Sequence, residues 1–267
     1  MLPVRLRPDL RFHTQVFDFL GMSPRRSTEA MRVLEERQQR LGLRFPAAFL
    51  EWYSTEGALD LLAETFDAGV LDSSAWSDDV LATRVLHLPG CDSQAGSHFL
   101  RLESDHEPDD PIVLARTVDS SDAVAGPKLT DFIFGVIWDG RVPAATATVA
   151  RAAPSDLELA SLARDFVARP VTRWPDELTR RFQDGACRLT IRQSEDRASW
   201  ELGADSSESL LGLARGLVRR GLCTGEAFRS QATLKTACTS CQSVISAFDE
   251  RCPWCGAALQ PPLPQDR

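Results

Sequence analysis

Histidine, lysine and long apolar runs are all scarce in this chain of 267 residues, and each scarcity removes a class of function. The four histidines, His13, His87, His98 and His106, stand beside neither a Gly-x-Ser-x-Gly elbow nor a His-Glu-x-x-His helix. No hydrolytic triad or zinc-protease helix is written here. Only Lys128 and Lys235 are lysines, and neither lies in a Walker loop; with Gly-x-Gly-x-x-Gly missing as well, the common nucleotide-binding signatures fall away. The preference for arginine over lysine reads as a compositional bias, and no function is drawn from it. No stretch approaches the length of a membrane-spanning helix, and the opening Met1-Leu-Pro-Val-Arg-Leu-Arg-Pro has no apolar run behind its charges to serve as a signal peptide. The expectation is a cytoplasmic protein that is not an enzyme and has no membrane partner.

What is present begins with cysteine. Cys238-Thr-Ser-Cys241 is followed by Cys252-Pro-Trp-Cys255-Gly256, the spacing of a structural zinc site. Each Cys-x2-Cys turn aims two thiolates at one metal, and two such turns complete a four-sulfur shell with no open coordination position, so the metal is structural rather than catalytic. A thioredoxin-like redox pair or two disulfides are the competing readings. Gly256 suits the turn because a residue without Cβ accepts positive φ, while Gln242 holds the matching place after the first pair. Between the pairs, Val244, Ile245 and Phe248 form a short apolar run suited to a hairpin covering the metal. So small a ribbon buries little core, which leaves its stability to the metal. Cys91, Cys187 and Cys223 complete an odd set of seven, which fits a reducing compartment and inert or core thiols.

Charge is unevenly placed. Residues 60–139 hold 16 Asp or Glu against 4 Lys or Arg, a local charge of −12, which leaves +4 for the rest of a chain whose net charge is −8. Such a region repels nucleic acid and attracts a basic partner, although a solvated acidic surface that aids solubility has the same composition. The turn over residues 104–111 has the donors for a hard divalent cation around His106, but a proline-bounded acidic surface turn is the plainer reading.

A hydrophobic content of 43% supports a true core. Periodicity predicts a helix over residues 10–20 ending at Gly21, a second from Ser27 or Thr28 to Gly42, and a third opening at Phe45-Pro46 and carrying Phe49, Leu50, Trp52 and Tyr53. Short extended runs at residues 85–88, 99–102 and 112–115 suggest an antiparallel sheet. Residues 130–138 are apolar throughout, and periodicity alone does not decide between helix and strand. Residues 141–154, rich in alanine and threonine and bracketed by prolines, read as a connector. Beyond it come a helix over 157–167, a hairpin formed by 187–191 and 198–202, and an amphipathic helix over 206–220 with a cap in Ser206-Ser207-Glu208-Ser209.

The stretch from Leu34 to Gly57, with Glu35 or Glu36, Leu41-Gly42, Phe45-Pro46, an aromatic helix at Phe49 to Tyr53 and then Gly57, resembles the opening of the SUKH (Smi/Knr-like) superfamily. Asp109-Asp110-Pro111-Ile112-Val113 is similar to that family's acidic turn into a strand, and Leu129 to Trp138 to its closing helix, which favours helix for that run. The resemblance covers roughly residues 25–140 and rests on the order of the motifs. It implies an α+β fold, a mixed or antiparallel sheet with flanking helices, and a protein-binding scaffold; many bacterial members are immunity proteins that neutralise polymorphic toxins. The expected organisation is an N-terminal helical extension (1–24), a SUKH-like domain (25–150), a small α+β segment (151–230), and a zinc ribbon with a proline-rich tail (231–267).

The expected cofactor is Zn2+ on Cys238, Cys241, Cys252 and Cys255. The expected partner is a protein, in the leading case a basic toxin domain, met by Asp72, Trp76, Asp78, Asp79, Asp105, Glu107, Asp109 and Asp110. The alternative is a regulatory or scaffold protein associated with nucleic acid through the ribbon, disfavoured because Arg229, Lys235, Arg251 and Arg267 are balanced by Glu226, Asp249, Glu250 and Asp266.

Overall fold

A computed structural model describes residues 10–63, 84–88, 96–102, 109–117 and 122–259. The fold is α+β, and the chain divides into two compact units, Met1–Arg141 with Pro170–Pro175, and Val142–Arg169 with Asp176–Arg267.

In the first unit, helices α1 (Thr14–Leu20), α2 (Thr28–Leu41), α3 (Ala47–Tyr53) and α4 (Ala58–Ala63) precede four strands. Ser27 caps α2 by accepting the Ala30 N–H at 3.1 Å. Strands β1 (Val85–His87), β2 (Gly96–Arg101), β3 (Ile112–Thr117) and β4 (Val124–Lys128) form an antiparallel sheet in sequence order. The run left undecided by periodicity is helix α5 (Leu129–Gly140). Its burial explains the ambiguity, since Phe132, Ile133, Phe134, Ile137 and Trp138 are all covered and no polar face remains to betray the period. They share one core with Val16, Phe17, Phe49 and Trp52.

Trp174 belongs to this unit too. Its ring lies over Gly126 of β4 and beside His98 and Phe132, with centroids 5.8 and 6.4 Å away. A Cβ at residue 126 would fall inside contact distance of that ring, which is why glycine stands there.

The second unit corrects the connector reading. Residues 141–154 contain strand β5 (Ala145–Ala152), with Ala145, Ala147 and Val149 facing its core. Helix α6 (Asp156–Asp165) starts at a capping box in which Ser155 and Glu158 satisfy each other's backbone N–H. Strands β6 (Val167–Arg173), β7 (Leu178–Asp184), β8 (Cys187–Ser194) and β9 (Arg197–Ala204) complete a five-stranded sheet in the order β5-β9-β8-β7-β6. Helix α7 (Ser207–Arg219) lays Leu210, Leu213, Ala214 and Leu217 on Leu189, Ile191, Trp200 and Leu202 of the sheet. The hairpin β8–β9 and helix α7 match the sequence reading; β5, β6 and β7 were not foreseen.

After α8 (Gly225–Phe228) and a 3-10 turn at Ala232–Leu234, the chain makes the small hairpin β10 (Lys235–Ala237) and β11 (Val244–Ser246). Among the described residues no helix is long and apolar enough to cross a membrane.

Candidate metal centre

The hairpin β10–β11 carries the first cysteine pair at its tip, and the chain returns through Phe248 to the second. At the first turn Cys238 donates its N–H to Ser243 O at 2.9 Å and its carbonyl accepts from Gln242 at 2.9 Å; at the second, Cys252 donates to Ala257 O and accepts from Gly256, again at 2.9 Å. The two turns are therefore the same backbone structure. Gln242 and Gly256 occupy its left-handed position with φ of +61° and +72°, so Gln242 departs from the glycine pattern in residue type and not in conformation.

These turns gather four sulfurs within 4.8 Å of one another. Cys238 Sγ lies 3.8 Å from Cys255 Sγ, and Cys241 Sγ 3.6 Å from Cys252 Sγ. A tetrahedron with metal–sulfur bonds of about 2.3 Å has edges of about 3.8 Å, so the donor set fits a tetrahedral thiolate-bound ion. Disulfides are excluded, because a sulfur–sulfur bond is only about 2.05 Å long and all six described cysteines are free. Ile245 and Leu259 pack on Cys238 and Cys252, which are buried, while Cys241 and Cys255 face outward.

Backbone donors prepare the sulfurs for the charged form. Hydrogen bonds from the N–H groups of Cys241 and Ser240, the latter at 3.4 Å, hold Cys238 below the usual thiol range. Cys241 is drawn down to about 6, first by the Ser243 hydroxyl and then by the Ser243 N–H. At Cys255 the Ala257 N–H also pulls downward, but the protons shared with Cys241, Cys252 and Cys238 prevail and push it up to about 12. Thiols must be deprotonated to bind a metal, so cation binding at this site releases protons. The remaining described thiols are different in kind: burial pushes Cys223 up to about 11 and raises Cys187, which disfavours the thiolate at both.

The ribbon is built into the second unit. Phe248 stacks on Phe228 at 5.2 Å, Arg229 pairs with Asp249 at 3.5 Å, and Ala247 N–H reaches Leu234 O at 2.9 Å. Val244 and Trp254 remain 69% and 72% exposed, so of the expected apolar run only Ile245 and Phe248 turn inward.

Of the expected partner-binding residues, Asp72, Trp76, Asp78, Asp79, Asp105 and Glu107 lie outside the described residues. Asp109 is exposed and pairs with Arg11 at 2.9 Å, while its carbonyl accepts the Ala48 N–H. Asp110 accepts the Thr130 N–H at 3.1 Å and so caps α5. Both therefore join elements of the first unit.

Sequence reasoning missed a buried polar cluster in that unit. Glu51, 2% exposed, accepts the N–H groups of Arg11, Phe12 and His13 at 2.7 to 2.9 Å and is approached by Arg26 at 3.5 Å. A carboxylate on the stripe Ala48, Glu51, Trp52 was the available signal. His13 Nε2 donates to Ala48 O at 2.9 Å, and its buried Nδ1 has no hydrogen-bond partner among the described residues. No family model, curated protein or solved structure matches the chain.

Proposed function

We propose that this chain is a non-enzymatic cytoplasmic protein-binding module of the SUKH-like kind, carrying a structural zinc ribbon, and that it acts as an immunity protein against a basic toxin domain. The observation that carries the metal part is the closed tetrahedron of four sulfurs on two identical turns. Four thiolates and no open position suit zinc, which then stabilises the ribbon by on the order of 10 kcal/mol and performs no chemistry. Metal analysis of the isolated protein, with Co2+ substitution to display thiolate-to-metal charge transfer, tests this directly. One tightly held zinc per chain is the expected result; an iron–sulfur chromophore would replace the reading.

The binding part is supported by the order α2, α3, antiparallel sheet, α5, which follows the order of the motifs, and by the −12 charge over residues 60–139. Acidic side chains there would speed encounter with a basic face, and apolar anchors would set the lifetime of the complex. Affinity capture of the tagged chain from its own cells at moderate salt is the test. A stoichiometric basic toxin-like partner, bound more slowly as salt rises, is expected; recovery of nucleic acid would favour the scaffold alternative instead.

A further inference from the structure

The four sulfurs of the ribbon do not present themselves equally to a reagent in solution. Cys238 and Cys252 are 0% and 2% exposed and pack with Ile245 and Leu259, whereas Cys241 and Cys255 are exposed. Each exposed cysteine stands against a buried cysteine of the other turn: Cys241 Sγ is 3.6 Å from Cys252 Sγ, and Cys255 Sγ is 3.8 Å from Cys238 Sγ. An oxidant therefore meets the outer sulfurs first, and the inner sulfurs are met by their outer neighbours. One reachable thiolate beside one shielded thiolate is the arrangement that carries sulfur oxidation to a reversible disulfide.

We propose that this centre is a redox-sensitive switch, in which a hydroperoxide oxidises an outer thiolate, a disulfide forms across the two turns, and the donor set lets go of its metal. The inference rests on the zinc reading above. In the first step the Cys241 thiolate attacks the peroxide: a sulfur–oxygen bond forms, the oxygen–oxygen bond breaks, and the departing oxygen takes a proton to leave as water or an alcohol. In the second the Cys252 thiolate attacks that sulfenic acid: a sulfur–sulfur bond forms, the sulfur–oxygen bond breaks, and the hydroxide takes a proton and leaves as water. Two thiolates thus give two electrons to one peroxide, with two protons drawn from solvent. A neighbour held at 3.6 Å reacts before a second peroxide arrives, which keeps the sulfenic acid from going on to the sulfinic acid. Only two thiolates then remain, half of a tetrahedral shell. Cys255 and Cys238 are placed for the same chemistry. The contacts that fasten the chain between the turns, Phe248 on Phe228, Asp249 with Arg229 and Ala247 with Leu234, do not involve the sulfurs, and the new disulfide ties the turns together, so reduction restores the original donor set.

The test uses the full chain, reduced, with its zinc content measured first, and hydrogen peroxide as the oxidant. A chromophoric chelator should report one zinc released for each cross-turn disulfide formed. Peptide mapping should find that disulfide as Cys241–Cys252 or Cys238–Cys255, with the half-buried Cys187 and the buried Cys223 still reduced. A thiol reductant with added Zn2+ should return the metal content to its starting value. A chain that binds no zinc overturns the zinc reading and this inference together. Zinc that stays bound under excess peroxide, or release accompanied by a disulfide inside either turn or by sulfinic acid alone, overturns this inference and leaves the zinc reading standing.

Discussion

Gln242 holds at the first turn the left-handed backbone that Gly256 holds at the second, and it does so with a side chain. That conformation costs a residue with Cβ about 1–2 kcal/mol. Gln242→Gly should therefore tighten metal retention by about 1 kcal/mol, roughly fivefold in Kd, in competition with a chromophoric chelator, and Gly256→Ala should loosen it by a similar factor. The cysteine spacing made this site legible in the sequence, but nothing about glutamine announces positive φ. The His13 ring was equally silent. Burial, opposed by its bond to Ala48 and by the charges of Glu51 and Asp110 and reinforced by Arg26, lowers its pKa in the fold. The unfolded chain titrates near 6.5, so this residue's contribution is complete above that pH and is lost as pH falls below it, by up to roughly 1.4 kcal/mol per unit. His13→Gln keeps a donor for Ala48 and cannot titrate; the fall in melting temperature between pH 6.5 and 5 should flatten in that variant. An unchanged slope would assign the acid sensitivity to other groups.

Among the elements, the segment leading into α1 depends on one carboxylate. Glu51 satisfies three successive N–H groups that open this helix, and Glu51→Gln leaves at least one of them facing an amide nitrogen. A loss of about 1–3 kcal/mol is expected in denaturant unfolding, with faster exchange at residues 11–13. Elements with one apolar stripe and a capping signal were legible: Ser27 or Thr28 announced α2, of which Ser27 is the cap; the run Ser206 to Ser209 announced α7, of which Ser206 is the cap; and the alternation in β8 and β9 gave their hairpin. β7 was not, because it buries Thr179 and Arg181 on one face and Phe182 on the other, so polar residues stand where an exposed face would put them. β5 was hidden for a different reason, since alternating alanine and threonine carry almost no hydropathy contrast between prolines. β6 contains Pro170, which disfavours a strand reading.

At the scale of the molecule, the chain passes between its two units three times, after Arg141, after Arg169 and after Pro175. Trp174 is the residue that makes the second passage matter. Trp174→Ala should destabilise the first unit by about 3 kcal/mol, and Gly126→Ala should destabilise it by about 1–3 kcal/mol through overpacking. The double variant should cost less than the sum, because the methyl group added at residue 126 would occupy space the ring has left; strict additivity in a double-mutant cycle would deny the contact. The same arrangement sets a timetable during synthesis. A ribosome delivers Arg141 before Trp174, so the first core waits a few seconds, at about 5–20 residues per second, for a side chain made later. Gln231 and Thr233, whose side chains bond to Thr148 and Thr146 on the edge of β5, emerge later still.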